Sequence, residues 1–219
     1  MQELINYKSK LFVSGIFAIA MAYLESAVVV YLRGLYYPDG FQFPLIDIPL
    51  PVLLTEIGRE AATIVMLWAI ARMLAKNGRE WFAYFAFNFG VWDIWYYLWL
   101  KILLNWPASI LEWDILFLIP VPWLAPVLAP VLVSIALIFA AIVILNREEK
   151  DSPLIIPKAI WFFEIIAGLI IIISFITELD VLEAKQVPQY FPWWLFFCGY
   201  LAGLSVFLWK VFQSNKKLR

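Results

Sequence analysis

The sequence predicts an all-α fold, a polytopic membrane helix bundle of about six transmembrane helices forming a single domain over residues 1–219. Three observations predict it. Apolar runs of about twenty residues, enough to cross a hydrocarbon core, recur at 11–32, 51–75, 81–104, 122–145, 160–177 and 191–212. Hydrophobic residues make up 64% of the chain and mean hydropathy is +0.85, against roughly 45–50% apolar residues in soluble domains. Basic residues gather in alternate connections, as the positive-inside rule requires.

The first run follows Lys8 and Lys10 and carries Ser14, Gly15, Ala18, Ala22, Glu25 and Ser26 on one narrow helical face. Small residues let a second helix approach closely, so this face is expected to pack inward and take Glu25 with it. The run continues into Tyr31-Leu32-Arg33 without a small-residue cleavage site, which reads as a retained helix rather than a removed signal. The connection from Phe41 to Pro51 is apolar and broken by prolines, and is expected to be extended on the outer surface.

The second run opens with Thr55-Glu56-Ile57-Gly58-Arg59-Glu60. Helical spacing puts Glu56, Glu60 and Thr63 on one side, with Arg59 one step around. The third run holds Asp93, Tyr97 and Lys101 every fourth residue, with Tyr96 beside them. Lys101 can snorkel toward the outer surface while Asp93 stays deep. Asn88, about a turn toward the cytoplasm, extends a polar track.

Between the third and fourth runs, Ser109-Ile110-Leu111-Glu112 has the capping-box pattern. It predicts a short helix near 109–119, surrounded by Trp106, Trp113, Phe117 and Trp123, lying in the outer interface or re-entering the bundle. Pro122, Pro126 and Pro130 predict a kinked entrance to the fourth helix. In the fifth run, Glu164 shares a face with Ile160, Ala167 and Gly168, and a structural ion pair with Arg72 is expected. In the sixth, Gly199-Tyr200-Leu201-Ala202-Gly203 predicts a close helix crossing inside the chain, and Cys198 is expected to be a buried, inert thiol.

Charge orients the bundle. Lys8, Lys10, Lys76, Arg79, Arg147, Lys150, Lys158, Lys216, Lys217 and Arg219 fall on one side. The other side holds mainly Asp39, Asp47, Glu112, Asp114, Glu178, Asp180 and Glu183, with Arg33 and Lys185. Both termini are therefore expected in the cytoplasm, and the chain in a cytoplasmic (inner) membrane as a multi-pass protein.

Composition also excludes. With no histidine, the chain has no His-ligated haem or zinc and no catalytic triad with a histidine base. One cysteine forms no internal disulfide and no thiolate metal site by itself. A net charge of −1 gives no overall basic field for nucleic acid. No cofactor is expected, the residues leave any metal unspecified, and an enzymatic role is not favoured.

What remains is a set of acids inside apolar runs, each costly there by roughly 2.5 kcal/mol or more. Glu25, Glu60 and Asp93 come from three helices at similar depth in the outer half. With Arg59, Tyr97 and Lys101 they form the expected ion- or substrate-binding site, with Glu56, Tyr96 and Glu164 secondary. Closely placed like charges in a low dielectric do not all ionise, so one acid is expected to hold a proton or a cation.

The function this favours is a small proton- or cation-coupled transporter or permease. One alternative is an accessory or scaffold subunit of a membrane complex, with the charges locking helices together. Another is an intramembrane lipid-modifying enzyme with paired carboxylates on Mg²⁺. The expected partners are the lipid bilayer, a small ion or solute, and membrane subunits or further copies of the chain.

Overall fold

The computed structural model describes residues 6–216, so Lys217 and Arg219 of the charge pattern lie outside the described residues. Long helices form where the apolar runs lie: α1 Tyr7–Tyr36, α2 Leu50–Leu74, α3 Gly78–Leu104, α4 Leu128–Glu149, α5 Lys158–Ile176 and α7 Trp193–Lys216, with a short α6 at Leu179–Glu183. The chain is 72% helical, which fits the all-α class apart from one β-hairpin.

Local chemistry sets the boundaries. The side chain of Asn6 caps α1 by accepting from the Lys8 amide, and that of Asn77 caps α3 by accepting from Arg79 and Glu80. Proline sits in the first turn of α2, where its missing N–H costs nothing. Asn105 ends α3 in the left-handed region, at φ 52°.

Among the described residues, four helices are long and apolar enough to cross a membrane: α1, α4, α5 (continuing through α6) and α7. The other two long helices differ in composition. Within one turn α2 carries Glu56, Arg59 and Glu60, and α3 combines Asn88 and Asp93 with many Trp and Tyr. Their position explains this. Helix α3 packs against α1, α2 and α4, so it is walled by protein on several sides and its polar groups face other side chains.

The α1 face that turns inward buries Ser14, Gly15, Ala18, Ala22, Glu25 and Ser26, and continues to Arg33. Ser26 Oγ donates to the Tyr96 carbonyl at 3.1 Å, and Trp99 Nε1 to the Ile19 carbonyl at 3.1 Å, locking α1 to α3. Two further seams are tight at glycine. A Cβ on Gly90 would lie 2.7 Å from the Ser134 carbonyl oxygen, and one on Gly199 would lie 2.7 Å from that of Ala167. Thus α3 lies directly on α4 and α7 directly on α5, the latter at the Gly199–Gly203 pattern. With Phe196 and Gly199 turned inward, Cys198 falls on the outward face, so the expected burial of its thiol is corrected to exposure.

The helix expected near 109–119 is not formed. Residues Trp113–Phe117 (β1) and Trp123–Pro126 (β2) instead pair as an antiparallel hairpin, with Asp114 opposite Ala125 and an irregularity between Ile115 and Phe117. The capping-box residues do cap a turn: Ser109 Oγ accepts from the Leu111 amide at 3.2 Å, and Glu112 Oε2 from the Ala108 amide at 2.6 Å. Helix does not propagate from there, because the aromatic residues of 113–123 pack as strands against Phe89, Phe175 and Phe191. Leu128 and Val127 close the hairpin mouth by donating to the carbonyls of Ile110 and Glu112, at 2.8 and 3.0 Å. Pro122 and Pro126 therefore belong to the hairpin, and the fourth helix starts at Leu128 rather than at 122. Only Pro130 lies in the helix, within its first turn.

The hairpin is wedged into the bundle. Phe117 stacks on Phe89, midway along α3, with centroids 6.2 Å apart, while Trp113 meets Phe191 and Trp123 meets Phe175 on the far side. At the opposite end of the molecule, Lys10 Nζ donates to the Leu74 carbonyl at 2.7 Å and Arg79 pairs with Glu148. That gathers Lys10, Arg79, Arg147 and Lys150 at one basic end, away from the hairpin.

Candidate functional site

A cavity of about 390 Å³ lies between α1, α2, α3, the 37–49 connection and the hairpin. Its charged lining comes from six carboxyl groups (Glu25, Asp47, Glu56, Glu60, Asp93 and Asp114) and two guanidinium groups (Arg33 and Arg59). Asp47 is exposed at the rim and pairs with Lys185. The other five acids are buried, at 3–8% exposure, so bulk water does little to screen them.

Arg59 is the hub. It pairs with Glu25 of α1, with Glu56 Oε2 at 2.8 Å one turn earlier, and at 4.0 Å with Glu60 Oε1. The remaining acceptor positions are also used. Thr63 Oγ1 donates to Glu25 Oε2 at 3.0 Å, and the backbone amide of Leu118 donates to Glu60 Oε2 at 2.8 Å. This second bond matters for the fold. Non-helical backbone inside a bundle needs partners for its amides, and Glu60 supplies one at the turn of the hairpin.

Asp93 faces the cavity from α3 and accepts from Ser134 Oγ of α4 at 2.7 Å. Among the described residues it makes no ion pair, so Arg59 is not its counter-ion. Tyr96 and Tyr97 line the same wall. A second pair closes the mouth: Arg33 Nη2 lies 3.4 Å from Asp114 Oδ1, with its guanidinium over Trp106 at 3.8 Å and over Phe41 at 4.3 Å.

Of the expected site residues, Glu25, Glu56, Arg59, Glu60, Asp93, Tyr96 and Tyr97 all line this cavity. Lys101 does not. Its ammonium group donates to the carbonyls of Asn105 and Pro107, at 3.3 and 3.0 Å, satisfying oxygens left open where α3 ends. Glu164 is also elsewhere, between α4, α5 and α7, and makes no ion pair among the described residues. The expected pairing with Arg72 is thereby corrected.

Arg33, Asp114 and Ser134 were missed in sequence. Arg33 lies on the same inward face as Ser26, seven residues on, so helical spacing carried the signal even though the apolar run stops at Leu32. Asp114 reaches the site only because the hairpin turns inward.

The five buried carboxyls against two guanidiniums leave a surplus of three acids. Among the described residues no three of them converge as metal ligands do. What the arrangement offers is negative potential and hydroxyl groups around a small chamber, held in register by Arg59. No family model, curated protein or solved structure matches the chain.

Proposed function

We propose that this chain is a small proton- or cation-coupled transporter with Glu25, Glu60 and Asp93 as its ion site, lying in a cytoplasmic membrane with six crossings and both termini inside. The observation that carries the reading is the surplus of buried acids around one cavity, with Asp93 left to a single hydroxyl partner among the described residues. Buried acids facing a shared cavity are the usual mark of ion pathways in membrane proteins. The basic end, holding Lys10, Arg79, Arg147 and Lys150, faces the cytoplasm in this reading, and the cavity opens outward. Helices α2 and α3 cross as well, α3 shielded by α1, α2 and α4 and α2 with its acids turned inward and its apolar side chains outward.

The test is solute-dependent acidification of vesicles containing the purified chain and a trapped pH dye, screened over small cationic and zwitterionic solutes. Asp93→Asn is expected to fold normally and to lower any solute-driven proton flux at least tenfold. A flux equal to that of the parent removes Asp93 from the site.

One observation favours the scaffold reading. Arg59 binds carboxylates on two helices, and Glu60 holds the hairpin, as a helix lock would. Purification in mild detergent separates the two: a scaffold subunit brings partners with it in fixed ratio, and a transporter is isolated alone or with copies of itself.

A further inference from the structure

A second cavity, of about 350 Å³, lies between α4 and the α5–α7 pair. It falls at the low end of the roughly 300–1,000 Å³ typical of small-molecule sites. Its walls are apolar, with small residues such as Ala140, Gly168 and Gly203 set among large ones such as Phe82, Trp161 and Phe207, and it contains a single acid, Glu164. Glu164 Oε1 is buried without a hydrogen-bond partner among the described residues, whereas the acids around Arg59 are met by donors. An unmet buried acceptor costs about 1–3 kcal/mol, so an occupant that donates to it gains that much over a plain hydrocarbon.

The shape narrows the occupant further. Along α5 the lining runs from Trp161 to Ile171, which is roughly 15 Å at 1.5 Å per residue. That length, walled by apolar side chains, suits one extended alkyl chain. Ile165 lines the cavity and is itself exposed, so the crevice is reached from the outer surface of the bundle.

We propose that this crevice binds a single-chain amphiphile whose head, an amine or hydroxyl, donates a hydrogen bond to Glu164. The site is separate from the Arg59 chamber and does not depend on the transport reading. Selectivity comes from the head group: an ammonium or hydroxyl completes Glu164, whereas a carboxylate brings a second acceptor to an acceptor.

The experiment is photolabelling of the full chain in phosphatidylcholine vesicles, using a dodecylamine that carries a mid-chain diazirine. Label is expected on α4, α5 and α7 peptides that line the crevice, at up to one per chain. Dodecylamine and dodecanol should compete at least tenfold better than dodecanoate. Glu164→Gln should lower labelling by the amine at least tenfold, and Ala140→Phe, which fills the crevice, should abolish crevice labelling while leaving Glu164 in place. Label spread over outward residues such as Phe162 and Phe163, or competition equal for all three heads, overturns the proposal. So does undiminished labelling of Glu164→Gln. If Ala140→Phe does not fold, the Glu164→Gln arm and the competition series decide alone.

Discussion

Two regions of the molecule bury acids in opposite ways. Around Arg59, Glu25 gains a guanidinium and a threonine hydroxyl, Glu56 the same guanidinium, and Glu60 a backbone amide. Between α4 and α7, Glu164 Oε1 has no partner among the described residues. The difference lies in what each acid does for the fold. The Arg59 acids hold α1, α2 and the hairpin together, so removing one partner exposes several others. Glu164 holds nothing together, and its substitution should leave the fold as it was.

That contrast can be broken by measurement, and the largest effect belongs to its hub. Arg59→Met leaves three buried carboxyls without their cation, and is expected to cost about 3–5 kcal/mol in unfolding measured by denaturant titration in mild detergent. Adding Glu56→Gln to it should recover part of that loss. A cost under about 1 kcal/mol would show that the cluster is solvated and not a lock.

Next is Gly90→Ala, whose methyl group would lie 2.7 Å from the Ser134 oxygen and 2.8 Å from Ile138 Cγ1. It should force α3 from α4 at about 1–3 kcal/mol and disturb the Asp93–Ser134 bond. Ser134→Ala removes that bond without altering the helix contact, for roughly 1–2 kcal/mol. Comparing the two separates packing from hydrogen bonding at Asp93. The smallest effect is expected for Glu164→Gln, within about 0.5 kcal/mol of the parent. A large destabilisation there would mean that Glu164 has a structural partner, and the contrast between the regions would fall.

Much of this architecture was legible in the residues, for reasons that differ by element. The inward face of α1 could be read because Ser14, Gly15, Ala18, Ala22, Glu25 and Ser26 share one helical face, and only one face of a helix meets a given neighbour. Helical spacing likewise placed Glu56 and Glu60 together. The hairpin was not legible, because Ser109 and Glu112 form a genuine local cap and the sequence does not reveal whether helix follows it. Trp113-Asp114-Ile115-Leu116-Phe117 is rich enough in aromatic and β-branched residues to form a strand, but that preference depends on the packing that Phe89 and Phe191 provide. Lys101 was misplaced for a simpler reason. Its spacing from Asp93 was right, but the open carbonyls at the end of α3 were nearer than the acid.

The glycine contacts at Gly90 and Gly199 bear on how the protein can move. With backbone against backbone there, α3–α4 and α5–α7 each behave as a stiff plate, since sliding either pair would drive atoms into one another. Any large rearrangement is left to the joint between the plates, where α4 meets α7 along the second cavity. The hairpin straddles that joint, touching α3 through Phe117 and the other plate through Trp113 and Trp123, so it is placed to act as a strut between the two.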